Sequence, residues 1–167
     1  METSLRYGGD SKALRVHFKE KLPINSNNYF QVDGDLDTGI GDLSSLSGTI
    51  RCFVPELSAI FGLGLQYDIH DKANFIARGK KAFPIANNGL LSFKMKGRCE
   101  FDKALRKRKP KGATELVWSI FNFKKDQDLR LKIGYEVFEK VPYLQIRENN
   151  WTLNADINGR WNVRFDL

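Results

Sequence analysis

Lys94, Lys96 and Arg98 stand at alternate positions in the stretch FKMKGRC, spaced by Phe93, Met95, Gly97 and Cys99. Successive strand residues point to opposite faces, so this spacing puts three cations on one face and almost no polarity on the other. Such a row recognises negative charge: lysine as a point charge, arginine through bidentate hydrogen bonds to phosphate or carboxylate. No set of nucleophile, acid and base accompanies it, so the chain does not read as an enzyme.

The same parity recurs along the chain. Arg15 and Lys19 alternate with Leu14, Val16 and Phe18, and Arg51 alternates with Ile50 and Cys52. Arg78 and Lys80 oppose Phe75 and Ala77, although Ile76 breaks that pattern. Arg130 and Lys132 oppose Leu129, Leu131 and Ile133; Arg147 opposes Leu144 and Ile146; Arg160 and Arg164 oppose Trp161, Val163 and Phe165. With Lys94, Lys96 and Arg98, these are the candidate anion-binding residues. Asp33, Asp35, Asp156 and Asp166 are placed to pair with some of them and make the charge uneven.

Positioning these residues requires strands. Period-2 alternation appears almost throughout and helical periodicity nowhere. Turn chemistry separates the runs at Pro23–Asn28, Thr38–Leu43, Val54–Pro55, Asp68–Asp71, Pro84–Gly89, Pro110–Gly112, Lys124–Asp128, Glu148–Asn150 and Asn158–Gly159. Eleven strand-like runs result, or twelve if Leu5–Tyr7 is a short first strand. Short links make neighbours antiparallel hairpins. Thr114–Phe123 is apolar on both parities, so its facing stays open. Lys103–Gly112 reads as a cationic loop, and its RKRK run (Arg106–Lys109) as a solvated face.

The 167 residues suit a single domain spanning 1–167. A net charge of +7 favours anionic partners. The N-terminus lacks an apolar signal core, and the most apolar stretch, Leu57–Tyr67, is too short to span a bilayer as a helix. Two readings remain. A soluble barrel or sandwich hides the apolar parity and binds anionic ligands or nucleic acid with the other. A membrane barrel turns the apolar parity to lipid and the cations to a lumen. Aromatics towards the ends of the apolar runs (Phe18, Phe30, Tyr67, Trp151, Trp161, Phe165) suit the girdles of the second. They sit opposite the cations, which argues against a stacking platform for nucleic acid.

Several motifs carry little. The Asp-Thr-Gly of LDTGI occurs once, whereas an aspartic protease needs two. DGDLDTG misplaces its glycine for a calcium loop, and Ser44 stands where the bidentate Glu belongs. His17 and His70 have no ligand spacing, so no metal site is expected. Asn150–Thr152 fits a glycosylation acceptor by chance. Cys52 and Cys99 lie on the apolar parity of strands that are not neighbours, which disfavours a disulfide.

The blocks METSLRYGGDSKALR, RGKKAFP, SIFNFKKDQDLRLKIGYE and KVPYLQIRENNWTLNADINGRWNVRFDL resemble the outer envelope pore protein 21 family of plants, essentially end to end. The resemblance implies an all-β fold: an integral, antiparallel up-and-down transmembrane barrel of about twelve strands with a basic lumen. It implies residence in the plastid outer envelope without a cleaved transit peptide. It also implies a rectifying anion channel for triose phosphate, 3-phosphoglycerate and inorganic phosphate, with ATP as a regulatory pore ligand and no cofactor. Membrane lipid is then a partner and nucleic acid is not.

Overall fold

Alternation of this kind, repeated between tight turns, gives strands that can share hydrogen bonds only with their sequence neighbours. The computed structural model describes residues 1–68, 73–102, 108–124 and 127–167. Twelve strands form: β1 (Glu2–Gly8), β2 (Leu14–Pro23), β3 (Asn28–Asp37), β4 (Asp42–Val54), β5 (Ala59–Asp68), β6 (Asn74–Pro84), β7 (Leu91–Phe101), β8 (Arg108–Lys124), β9 (Gln127–Glu136), β10 (Val141–Glu148), β11 (Trp151–Asp156) and β12 (Trp161–Asp166). Each pairs antiparallel with the next, and β1 pairs with β12 to close the barrel. Closure gives every strand two hydrogen-bonded neighbours, as a bilayer interior demands.

The short first strand is real, longer than Leu5–Tyr7, and it makes the seam of the barrel. The turns follow local chemistry. At Asn158–Gly159, Gly159 takes φ +77°, a left-handed conformation that a side chain resists. The Asp156 carboxylate accepts from the Asn158 and Arg160 backbone N–H groups and closes the same turn.

One turn assignment is overturned. Pro110–Gly112 lies inside β8, where Pro110 faces Cys99 of β7. Pairing with β9 starts only at Ala113, so Pro110 has an unpartnered side where its missing N–H costs no ladder bond. Of the expected Lys103–Gly112 loop, residues 108–112 belong to β8. The loop's residues 103–107, His70 and most of the Asp68–Asp71 turn, and residues 125–126 lie outside the described residues.

Burial decides which face is inside. Ile50 is 57% exposed, Leu63 70%, Ile133 61% and Trp151 57%, while Thr49, Gln31 and Ser4 are buried. This inverts a soluble protein, in which a contiguous apolar band of this size would be a liability. Apolar residues form the outer belt and polar ones the interior. Aromatic pairs edge both rims: Tyr7 with Trp161 at one, Trp151 with Phe165 and Phe83 with Phe93 at the other. Phe18 is different. It lies mid-strand, its ring seated over Gly34, where a Cβ would come within 2.1 Å. Cys52 and Cys99 are free thiols on the outer parity.

Candidate lumen site

Strand register, not sequence order, organises the interior cations into rows. In the first row Arg51 of β4 faces Gly62 of β5, which faces Arg78 of β6, then Arg98 of β7, then Lys111 of β8. In the second, Arg130 of β9 faces Arg147 of β10, then Thr152 of β11, Arg164 of β12, Arg6 of β1 and Arg15 of β2. Hydrogen-bonded rows run across strands that tilt against the barrel axis, so each row climbs the wall. Arg51 lies near the end of β4 at one rim, and Lys111 near the start of β8 at the other. Arg130 and Arg15 span the same two rims on the opposite wall.

Like charges directly opposite each other oppose sheet formation. Arg78–Arg98, Arg98–Lys111, Lys80–Lys96, Arg130–Arg147, Arg164–Arg6 and Arg6–Arg15 are all such pairs. A wall built only for stability would not repeat them.

The two rows differ in their counter-charges. On the second, Arg147 and Arg164 share Asp166 at 3.0 and 2.5 Å, Arg6 meets Asp35 at 3.7 Å, and Arg15 meets Asp37 at 3.6 Å. On the first, Arg78 meets Asp33 at 3.5 Å and Arg98 meets Glu100 at 2.7 Å. Arg51, Lys80, Lys94, Lys111 and Arg130 have no ion-pair partner among the described residues. All but Arg130 belong to the first row or its flank.

The remaining candidates fall beside the rows. Lys19 is held by Glu2 at 3.2 Å. Lys94 faces Glu115 across β7 and β8, Lys96 bonds Glu115 at 2.6 Å, and Lys132 approaches it at 3.6 Å. Arg160 departs from its expected place: it sits in the turn after β11, not in a strand, and is tied to Asp156 at 2.6 Å and Glu139 at 3.6 Å. It lines the mouth of the barrel, because β12 begins only at Trp161.

Two cavities of about 580 Å³ occupy the interior. One is lined by Lys19, Arg51, Arg78, Lys80, Lys96 and Arg98, the other by Arg6, Arg15, Arg130, Lys132, Arg147 and Arg164.

Sequence reasoning missed several wall residues. Lys21 simply continues the parity of Arg15 and Lys19, and Arg6 that of the seam strand; both were legible. Lys111 was hidden by the turn-like PKG. Glu115 and Tyr143 were concealed differently. Thr114–Phe123 carried no usable alternation, yet Glu115, Val117 and Ser119 face inward while Leu116, Trp118 and Ile120 face out. Ile76, which broke the pattern of its strand, is an inward-facing and fully buried side chain.

The family model described as chloroplast outer envelope pore protein OEP21 matches residues 3–167. An outer envelope pore protein 21 of Pisum sativum is 56% identical over the whole of both chains. Outer envelope pore protein 21A of Arabidopsis thaliana is 54% identical, and a counterpart from Oryza sativa 43%, again over both full lengths. Among solved structures, a KdgM porin superposes with a TM-score of 0.64 at 9% identity, covering 99% of this chain and 96% of that one. A NanC porin gives 0.62 at 8% identity, covering 99% and 97%. At such identity these two speak for the barrel alone.

Proposed function

The chain belongs to the chloroplast outer envelope pore protein OEP21 family, and from that premise we propose that it is an anion-selective, rectifying channel. Its solutes are phosphorylated metabolites, namely triose phosphate, 3-phosphoglycerate and inorganic phosphate, with ATP as a regulatory ligand in the pore. The chain is a porin-like β-barrel pore of the chloroplast outer envelope membrane.

The observation that carries the reading is the pair of cationic rows running from rim to rim. Neighbouring strands lie about 4.8 Å apart, so a phosphate leaving one guanidinium is within reach of the next. Everywhere in so narrow a tube a solute stays inside the Debye length, roughly 8 Å at physiological salt. Low-dielectric walls focus the field, concentrating anions and excluding cations. Conduction also needs release, and many moderate sites serve that better than one tight site. Among the described residues, the first row is unpaired at Arg51 and Lys111 and paired at Arg78 and Arg98 between them, whereas the second is paired at every cation but Arg130. Such an uneven axial field passes current unequally in the two directions.

The test is reconstitution in a planar bilayer under a KCl gradient. A reversal potential of the sign for chloride, with inorganic phosphate reducing the chloride current, supports the reading. A reversal potential of the sign for potassium overturns it.

A further inference from the structure

Between the two cationic rows lies one carboxylate that the conduction scheme does not use. Glu115 projects inward from β8, and its side chain is only 5% exposed. Three groups converge on it from three other strands. The Lys96 ammonium donates to Oε1 at 2.6 Å, Lys132 stands 3.6 Å from Oε2, and the Tyr143 hydroxyl donates to Oε1 as well. Lys96 flanks the first row and Lys132 the second.

The reach of Tyr143 is built into the sheet. Tyr143 faces Gly134 of β9, which faces Glu115 of β8. The tyrosine ring crosses Gly134, where a Cβ would come within 2.2 Å of it. Only a residue without a side chain lets the ring cross β9 to meet Glu115 two strands away. The same ring sits 5.5 Å beneath the Lys96 ammonium. Lys96 therefore has its charge neutralised on one side, yet its side chain remains 49% exposed to the lumen.

We propose that Glu115 is an internal counter-anion that competes with passing solutes for Lys96 and Lys132, setting how long an anion dwells between the two rows. An anion entering this strip must displace a carboxylate already in place. The competition weakens binding and speeds release. Glu115 is thus a positioning residue, acting through the two lysines. The inference rests on the anion-channel reading above.

The experiment is inhibition of the chloride current by inorganic phosphate in planar bilayers, with wild type and Glu115→Gln compared. The amide keeps the size and the tyrosine bond but removes the charge. Half-inhibition should move to a phosphate concentration about ten-fold lower, the order expected when one charge of a close pair is removed. Adding Lys96→Gln to Glu115→Gln should cancel most of that gain, which a merely structural role would not predict. Glu115→Asp keeps the charge but withdraws it by one methylene; it should shift in the same direction by a smaller factor, and it carries the test if the glutamine variant does not insert. An unchanged half-inhibition in a variant that still reverses at the chloride sign overturns the counter-anion and leaves the channel reading intact. A wild-type channel reversing at the potassium sign overturns both.

Discussion

The β4–β8 wall and the wall running from β9 through the seam to β2 carry comparable rows of arginine and lysine, but they are compensated differently. On the seam wall, Asp35, Asp37 and Asp166 each hold at least one guanidinium within 4 Å. On the β4–β8 wall, Arg51, Lys80, Lys94 and Lys111 stand without an ion pair among the described residues. The difference separates two electrostatic tasks. The mean field in the lumen depends on net charge and little on whether a given cation has a partner. Docking of a solute depends on donors that are not already engaged. Under the proposed anion-channel reading, both walls enrich anions, and the β4–β8 wall is where they are expected to dock.

The largest effect tests the premise that both walls turn their backs to lipid. Leu131 lies mid-strand on the outer parity of β9, and Leu131→Arg should destabilise the barrel by up to about 2–4 kcal/mol. Urea unfolding from lipid vesicles measures it, and undiminished stability would mean the facing is wrong. Next comes the comparison itself. Arg51→Gln with Lys80→Gln should weaken phosphate inhibition about tenfold, whereas Arg15→Gln with Arg164→Gln should weaken it by only about two- to threefold. Each double variant removes two charges, so both should shift the KCl reversal potential by a similar amount. Equal losses of phosphate affinity would erase the distinction between the walls. The smallest effect runs in the opposite direction. Asp166→Asn frees Arg147 and Arg164 together, making the seam wall resemble its counterpart, and phosphate inhibition should strengthen by about twofold. A weakening would mean that Asp166 is needed to hold those arginines in position.

The outward face was readable wherever polar and apolar residues took turns. Lys94, Lys96 and Arg98 point inward for the reason visible in FKMKGRC. Legibility failed where alternation failed. Thr114–Phe123 is apolar on both parities because its inner positions include Val117, which is buried inside the barrel. Pro110–Gly112 imitated a turn because proline and glycine report local backbone preference, while the unpartnered side of β8 that tolerates Pro110 exists only once β9 is in place. Arg160 followed the parity of β12 on paper, but the Asn158–Gly159 turn takes the residues up to it and leaves it at the mouth.

The sequence by itself determined the strands, the separation of cations from the apolar parity and the net positive charge, because alternation and composition are properties of residues close together in the chain. Only the tertiary structure decided which cations stand side by side, which have an acid within reach, and that Glu115 lies between the rows. Arg6 and Arg164 sit near opposite ends of the chain and become neighbours only when β1 closes on β12. Register is a relation between strands, and Coulomb energy follows distance across the sheet, which the order of residues along the chain does not contain.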